Sequence, residues 1–191
     1  GSEMCIRDSA NANLGTNVEV ADYLYNGTFN DVAGGQAQAG GMYDKGIDII
    51  FSAAAAVGNG VINEAKARTE AGDKVYVIGV DVDQYDEGLM NDGSSVVLTS
   101  AIKRIDVAVY DTLKAYGEGN FPGGQIITMD AKTNGVGLPE TNPNLTTDTQ
   151  AKVDETLAEI QSGALVVPVT GEELDTFLSE VGYQANTINY K

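Results

Sequence analysis

Residues 75–84, VYVIGVDVDQ, decide the fold of this chain. The first six are apolar and mostly β-branched apart from one glycine, which predicts a strand over 75–80 that is buried on both faces. A parallel strand of this kind ends at the sheet edge where α/β folds bind ligands. Asp81, Asp83 and Gln84 follow, and a carboxylate at this point can accept hydrogen bonds from both hydroxyls of a sugar diol. The alternative is that Asp81 only caps the next turn, as aspartate often does.

Strand and helix patterns alternate on the amino-terminal side of this stretch. Asn30 or Asp31 is a suitable N-cap for the first helix, and Gly72 ends the second. Such alternation is typical of βαβ units and a parallel sheet. The predicted strands cover 17–25 and 47–51, and the predicted helices cover 32–45 and 61–71.

After residue 84 the pattern continues less regularly. A short strand is predicted over 96–99, and an amphipathic helix over 101–116 has apolar side chains at every third or fourth position. Those apolar positions are Ile102, Ile105, Val109, Leu113 and Tyr116. Further segments are a strand at 125–129, a loop at 133–145, a helix at 149–160, an apolar run at 165–167 and a helix at 172–181.

Composition excludes several classes of function. With 11 basic and 28 acidic residues the net charge is −17, which argues against nucleic acid and anionic membranes as partners. The absence of histidine removes His-dependent catalysis, and the single cysteine, Cys5, has no partner for a disulfide or a metal cluster. The acidic pairs lack the spacing of a calcium-binding loop. We therefore expect no catalytic residues, no metal site and no cofactor.

The first nine residues, GSEMCIRDS, resemble a cloning scar followed by an adaptor-derived peptide. They contain no apolar core of a signal peptide, and no apolar run in the chain approaches the ~20 residues that span a bilayer. We exclude 1–9 from the structural interpretation and expect the natural N-terminus to be missing.

Three further features suggest a ligand cleft, each with a structural alternative. The small-residue loop Ser52–Gly60 lacks a phosphate-loop motif but lets a flat ligand approach the backbone closely. Phe29 offers either a stacking face or a hydrophobic plug. Lys103 and Arg104 are predicted in the first helical turn, where they oppose the macrodipole. Either a ligand contact or a salt bridge to Asp81 or Asp106 would explain them.

Several motifs in register resemble the BMP (basic membrane protein) or PnrA-like solute-binding lipoproteins of ABC transporters. They are YDKGIDIIF at 43–51, VIGVDVDQ at 77–84, LTS at 98–100, KRIDVAVY at 103–110 and GVGL at 135–138. The resemblance covers about residues 17–168. It implies an α/β fold of the type I periplasmic-binding-protein class, with a doubly wound parallel sheet in a Rossmann-like lobe. It also implies binding of purine and other nucleosides between two lobes, without chemistry.

The resemblance assigns roles to individual positions. Asp81 matches the aspartate that holds the ribose hydroxyls, and Lys103 matches a lysine on the same ribose. Phe29 matches an aromatic residue that packs on the ligand. Ala55 and Ala56 stand where the family usually has two glycines, which adds two methyl groups beside the ligand.

The family's first lobe precedes the matching region, so we expect this chain to be a carboxyl-terminal fragment. Residues 10–100 would belong to the second lobe, and 101–191 would hold the segments that cross back to the first. The implied partners are a nucleoside and an ABC permease, outside the cytoplasmic membrane, with a lipid anchor on the missing N-terminus. The alternatives are a ligand-sensing domain for a sugar-bearing small molecule and an enzyme that uses Asp81 or Asp83.

Overall fold

The computed structural model describes residues 22, 24–168 and 170–180. Residues 24–162 form one compact unit, and the described residues outside this range belong to a second. Within these described ranges, every helix is too short or too polar to cross a bilayer.

A four-stranded sheet with the order β1-β2-β3-β4 forms the centre of the first unit. The first three strands are parallel neighbours, as predicted, and β4 pairs antiparallel with β3. The strands are β1 (Ile49–Phe51), β2 (Tyr76–Asp81), β3 (Val97–Lys103) and β4 (Val136–Gly137).

Four α-helices belong to this unit. All four were predicted, although their observed ends differ from the predicted ones by a few residues. They are α1 (Val32–Tyr43), α2 (Val57–Glu70), α3 (Ile105–Gly117) and α4 (Thr147–Ser162), with a 3₁₀ turn at Asp86–Gly88. The N-cap of α1 is Asp31, whose side chain accepts a hydrogen bond from the Gly34 N–H at 2.9 Å.

Two glycines bring the first turns of α1 and α2 into contact. A Cβ at Gly60 would collide with the carbonyl oxygen of Val32, and a Cβ at Gly35 would collide with that of Val57. The backbones therefore touch directly. Because α2 begins just after β1 ends, α1 also begins at the carboxyl edge of the sheet.

The core lies between this helix pair and the sheet. Ile62 and Val77 are almost completely buried. Buried and half-buried residues alternate along β2, so one face of the strand packs on the core and the other face is only half-buried. The prediction that the strand over 75–80 is buried on both faces is therefore wrong. The cluster comprises Ala39, Tyr43, Ile50, Val61, Ile62, Ala65, Val75, Val77, Val96 and Val97.

The predicted boundary after residue 99 is wrong. Residues 100–103 continue β3 because Ser100, Ala101 and Ile102 pair with the end of β2, and Ile102 and Lys103 pair with β4. The helix therefore begins at Ile105 rather than 101. The two residues of β4 lie inside the segment predicted as a loop.

The predicted strand at 125–129 is also wrong. These residues are irregular, and Ile126 is 99% exposed, because no strand of the described chain lies beside them. The apolar face of α3 is likewise uncovered in this unit, with Ile105, Val109, Leu113 and Tyr116 exposed. The predicted strand at 17–25 falls largely outside the described residues.

In the second unit, the apolar run at 165–167 is irregular and α5 covers Gly171–Glu180. A capping box starts this predicted helix. The Thr170 N–H donates to Oε2 of Glu173 at 3.0 Å, and the Glu173 N–H donates to Oγ1 of Thr170 at 3.2 Å.

Candidate functional site

Two oppositely charged side chains meet at the carboxyl edge of the sheet. Asp81 is the last residue of β2 and Lys103 the last of β3, so the parallel register of these neighbouring strands brings them together. The Lys103 Nζ lies 2.8 Å from Oδ1 of Asp81. The structure therefore joins two of the residues predicted for ligand binding.

The backbone at Asp81 is strained. Its φ is +72°, in the left-handed region, and the Val82 N–H donates to the Val80 carbonyl at 2.9 Å. A bond between residues two apart around a central positive φ is a γ-turn, which is rare and strained. Backbone strain of about 1–3 kcal/mol persists where the surroundings enforce it, often at ligand sites.

The ion pair adds little stability to offset this strain. The side chains of Asp81 and Lys103 are 38% and 67% exposed. Exposed pairs contribute about 0–1 kcal/mol because solvent screens the charges. Within the described residues, Lys103 is the partner of the Asp81 carboxylate, rather than a backbone N–H of the following turn. The turn-capping alternative for Asp81 is therefore not supported.

An open groove of about 390 Å³ runs beside this pair. The loop after β4, with Leu138, Pro139 and Glu140, forms one wall. The other lining residues are Asp81, Val82, Asp83 and the segment 102–106. Among the residues that the structure describes, no cluster of acidic or cysteine side chains is placed to hold a metal ion.

Arg104 and Asp106 form a second ion pair on the groove, at 2.9 Å between Nη2 and Oδ2. Hydrogen bonds from the guanidinium lower the pKa of Asp106 and raise that of Arg104. Lys103 ends β3, so the prediction that it lies in the first helical turn is wrong. Arg104 is the N-cap residue of α3, at the end where a cation opposes the helix dipole. Of the explanations considered for them, salt bridges to Asp81 and Asp106 are the ones observed.

Ala55 and Ala56 lie in the turn between β1 and α2 at the same edge. Ala55 has a φ of +48°, which an L-alanine rarely adopts, whereas Ala56 is the N-cap residue with a helical φ of −63°. A positive φ favours glycine, which agrees with the glycine that the resemblance implies at position 55. Neither alanine lines the groove.

Phe29 precedes the N-cap of α1 and is 71% exposed. This exposure contradicts the hydrophobic-plug alternative within the described residues. The contact between the first turns of α1 and α2 places its segment near the carboxyl edge. Its ring does not line the groove of Asp81 and Lys103.

Gln84 and Ser100 are both buried at this edge. The sequence places Gln84 with Asp81 and Asp83 among the first side chains past the strand, but its burial, and the hydrogen bond from its backbone N–H to Oγ of Ser100, are not predicted. Asp83, by contrast, is exposed and caps a turn, with its Oδ1 accepting from the Tyr85 N–H at 3.0 Å. The available signal was a glutamine three residues after the end of β2.

Comparison with protein families gives a match over residues 10–170 to the Bmp family, described as ABC transporter substrate-binding protein PnrA-like. The CD4+ T-cell-stimulating antigen of Listeria monocytogenes is 43% identical over 153 residues, which are 77% of this chain and 43% of that protein. The ABC transporter nucleoside-binding protein BmpA of Lactococcus lactis is 40% identical over 155 residues, again 77% and 43%. The chain thus spans less than half the length of these relatives.

Among solved structures, an ABC transporter solute-binding protein from Aeropyrum pernix K1 superposes with a TM-score of 0.70 at 25% identity. The superposition covers 92% of this chain and 55% of that one. It confirms the predicted α/β fold of the periplasmic-binding-protein class. The family model and this structure are those of substrate-binding proteins, so the enzyme alternative is set aside.

Proposed function

Because this chain belongs to the PnrA-like family of ABC transporter substrate-binding proteins, we propose that its sheet edge binds the ribose of a nucleoside for an ABC importer. A purine nucleoside is the proposed ligand. One of the relatives is named as a nucleoside-binding protein, which supports this ligand class.

The observation that carries the proposal is the Asp81–Lys103 pair on a strained turn. A carboxylate accepts hydrogen bonds from two vicinal hydroxyls, and an ammonium donates to a hydroxyl oxygen. Ribose offers such a pair at its 2′ and 3′ positions. Since the ion pair is exposed and adds little stability, its groups are accessible to exchange their mutual contact for ligand hydroxyls.

Phe29, Ala55 and Ala56 complete the proposed site on neighbouring loops. The exposed ring of Phe29 would pack on the ligand, and the two alanine methyl groups would narrow the space beside it. These contacts require a ligand that extends from the groove toward the first turns of α1 and α2.

In the whole protein, the proposed mechanism is closure of two lobes over the nucleoside, followed by docking on the permease. Residues 10–100 would form the second-lobe region, and 101–191 would contain segments that cross to the first lobe. The site of action would be outside the cytoplasm, with a lipid anchor at the amino terminus holding the protein to the membrane.

A thermal-shift panel tests the proposal on the 191-residue chain and on the full-length protein that contains it. The panel contains guanosine, adenosine and inosine, their free bases, and ribose. A ligand at 100 times its Kd adds about 2.7 kcal/mol of stability. A rise in Tm with the ribonucleosides but not with the bases supports the proposal, and no rise with any nucleoside in the full-length protein contradicts it.

A further inference from the structure

Gln84 occupies an unusual place for a glutamine. It lies three residues beyond the end of β2 yet is only 8% exposed, whereas glutamine is mostly exposed in proteins. Its backbone N–H donates to Oγ of the fully buried Ser100 at 3.0 Å. Its side-chain Oε1 accepts from the Val80 N–H at 3.0 Å. Both hydrogen bonds tie the loop after β2 back onto the sheet.

The hydrogen bond from the Val80 N–H to Gln84 takes the place of a backbone hydrogen bond that a longer β1 would make. Alternate residues of β2 turn their backbone groups toward β1: the Tyr76 N–H donates to Asp48, and the Ile78 carbonyl accepts from Ser52. Val80 is the next residue in this series, but β1 ends at Phe51. The Gln84 side chain supplies the acceptor that the next residue of a longer β1 would otherwise provide.

The same bonds enclose Asp81. Val80 donates to Gln84 through its N–H and accepts from Val82 through its carbonyl, so the chain folds back around Asp81. The absence of a side chain at Gly79 makes this possible. A Cβ there would lie 2.8 Å from Oε1 of Gln84 and 2.7 Å from Oγ of Ser100.

We propose that Gln84 is a positioning residue for the cleft: its side-chain amide holds the turn that directs the Asp81 carboxylate toward Lys103. Gln84 does not line the groove, so it acts through Asp81. A left-handed aspartate persists only where its surroundings enforce it, and the hydrogen bonds of Gln84 to Val80, Ser100 and, at 3.5 Å, Asn59 Oδ1 supply them. The ligand-binding consequence rests on the proposed function, but the effect on the geometry of Asp81 does not.

The crystal structure of a Gln84→Met variant tests the geometric claim without ligand. Methionine keeps a similar volume but lacks the amide acceptor. The expected result is that Asp81 leaves the left-handed region and its carboxylate moves beyond about 4 Å from Lys103 Nζ, the limit of an ion pair. An unchanged γ-turn and ion pair would overturn the proposal. If Gln84→Met does not fold, Ser100→Ala removes the hydrogen bond from the Gln84 backbone to Ser100 instead. The φ of Asp81 and its distance from Lys103 Nζ then decide the outcome in the same way.

Calorimetric titration of the full-length protein with guanosine tests the consequence for binding. Gln84→Met is expected to weaken binding roughly tenfold or more, because a displacement of about 1 Å is enough to impair a positioned group. In an Asp81→Asn background, Gln84→Met is expected to cause no further loss of guanosine affinity. The matched control is Ile62→Val, a core change that lowers Tm without changing the guanosine Kd.

An equal loss of affinity from Gln84→Met in both backgrounds would overturn the proposal, because it would indicate general destabilisation. The two ideas fail separately. Failure of the unsubstituted full-length protein to bind guanosine, adenosine or inosine contradicts the proposed function, whereas the crystal structure of the variant still decides the role of Gln84.

Discussion

The Nζ of Lys103 lies 2.8 Å from Oδ1 of Asp81, across the last residues of two neighbouring parallel strands. The pair is exposed, and one of its members lies on a strained turn. Neither feature increases the stability of the fold. Substitutions at these positions should therefore separate ligand affinity from folding stability.

Lys103→Met removes the ammonium but keeps most of the aliphatic chain. The free energy of unfolding should change by less than about 1 kcal/mol, as for other exposed pairs. Nucleoside affinity should fall about 10–100-fold, since hydrogen bonds from charged groups contribute roughly 1.5–3 kcal/mol. Urea unfolding and calorimetric titration measure the two effects.

Lys74→Met is the matched control, because this exposed lysine precedes β2 at the opposite edge of the sheet. It should leave both quantities unchanged. Equal losses of affinity in the two variants would refute a specific role for Lys103.

Ala55→Gly and Ala56→Gly should have unequal effects on stability. Glycine at position 55 relieves a positive φ, and we expect a gain of up to about 1 kcal/mol. Position 56 is the N-cap of α2 and already has an ordinary φ of −63°, so glycine there should change stability by no more than about 0.5 kcal/mol. Urea unfolding of both variants checks this, and a loss of equal size at both positions would contradict it.

Tyr43→Phe should make stability less sensitive to alkaline pH. Burial raises the pKa of the Tyr43 hydroxyl well above its ordinary value of 10.0. Its contribution to stability is therefore complete below about pH 10 and is lost as the pH rises further, because the unfolded chain ionises first. The variant also loses the hydrogen bond to the Tyr76 carbonyl, which costs about 1 kcal/mol at neutral pH.

Unfolding free energies at pH 7, 9, 10 and 11 would measure this difference. We expect the gap between the unsubstituted protein and Tyr43→Phe to narrow above about pH 10. A gap that stays constant across the series would show that Tyr43 is not held neutral by burial.

Ile62→Ala should be among the most destabilising changes in the first unit. This residue of α2 is 2% exposed and belongs to the core cluster, and truncation of such a residue costs about 2–5 kcal/mol. Ile126→Ala removes the same atoms from a 99% exposed position and should cost less than about 0.5 kcal/mol. Similar losses in both would mean that the core is not where the structure places it.

The parallel sheet was predictable because the stretch 75–80 is apolar and rich in β-branched residues and lies between two turn-forming segments. The end of β3 was not, since residues 100–103 suit a strand or a helix equally by their local pattern. Pairing with β2 and with two residues of β4 decides it, and β4 is more than 30 positions away in sequence.

The site shows the same limit. Asp81 was predicted because parallel strands end where ligands bind, and Lys103 because the family motif contains a lysine there; the structure brings the two side chains together. The γ-turn at Asp81 and the burial of Gln84 were not found, since both depend on where β1 stops relative to β2. That offset is set by the packing of the whole domain and cannot be predicted from the local sequence.

Titration of full-length Asp81→Asn with guanosine is the most direct test of ribose binding at this edge. Asparagine tolerates a positive φ and keeps the shape of the side chain while removing the charge. We predict a loss of affinity of about 10–100-fold, the cost of a lost charged hydrogen bond, and a far smaller loss with 2′,3′-dideoxyguanosine, which lacks the diol. Guanosine affinity equal to that of the unsubstituted protein would contradict the assignment of Asp81 to ribose.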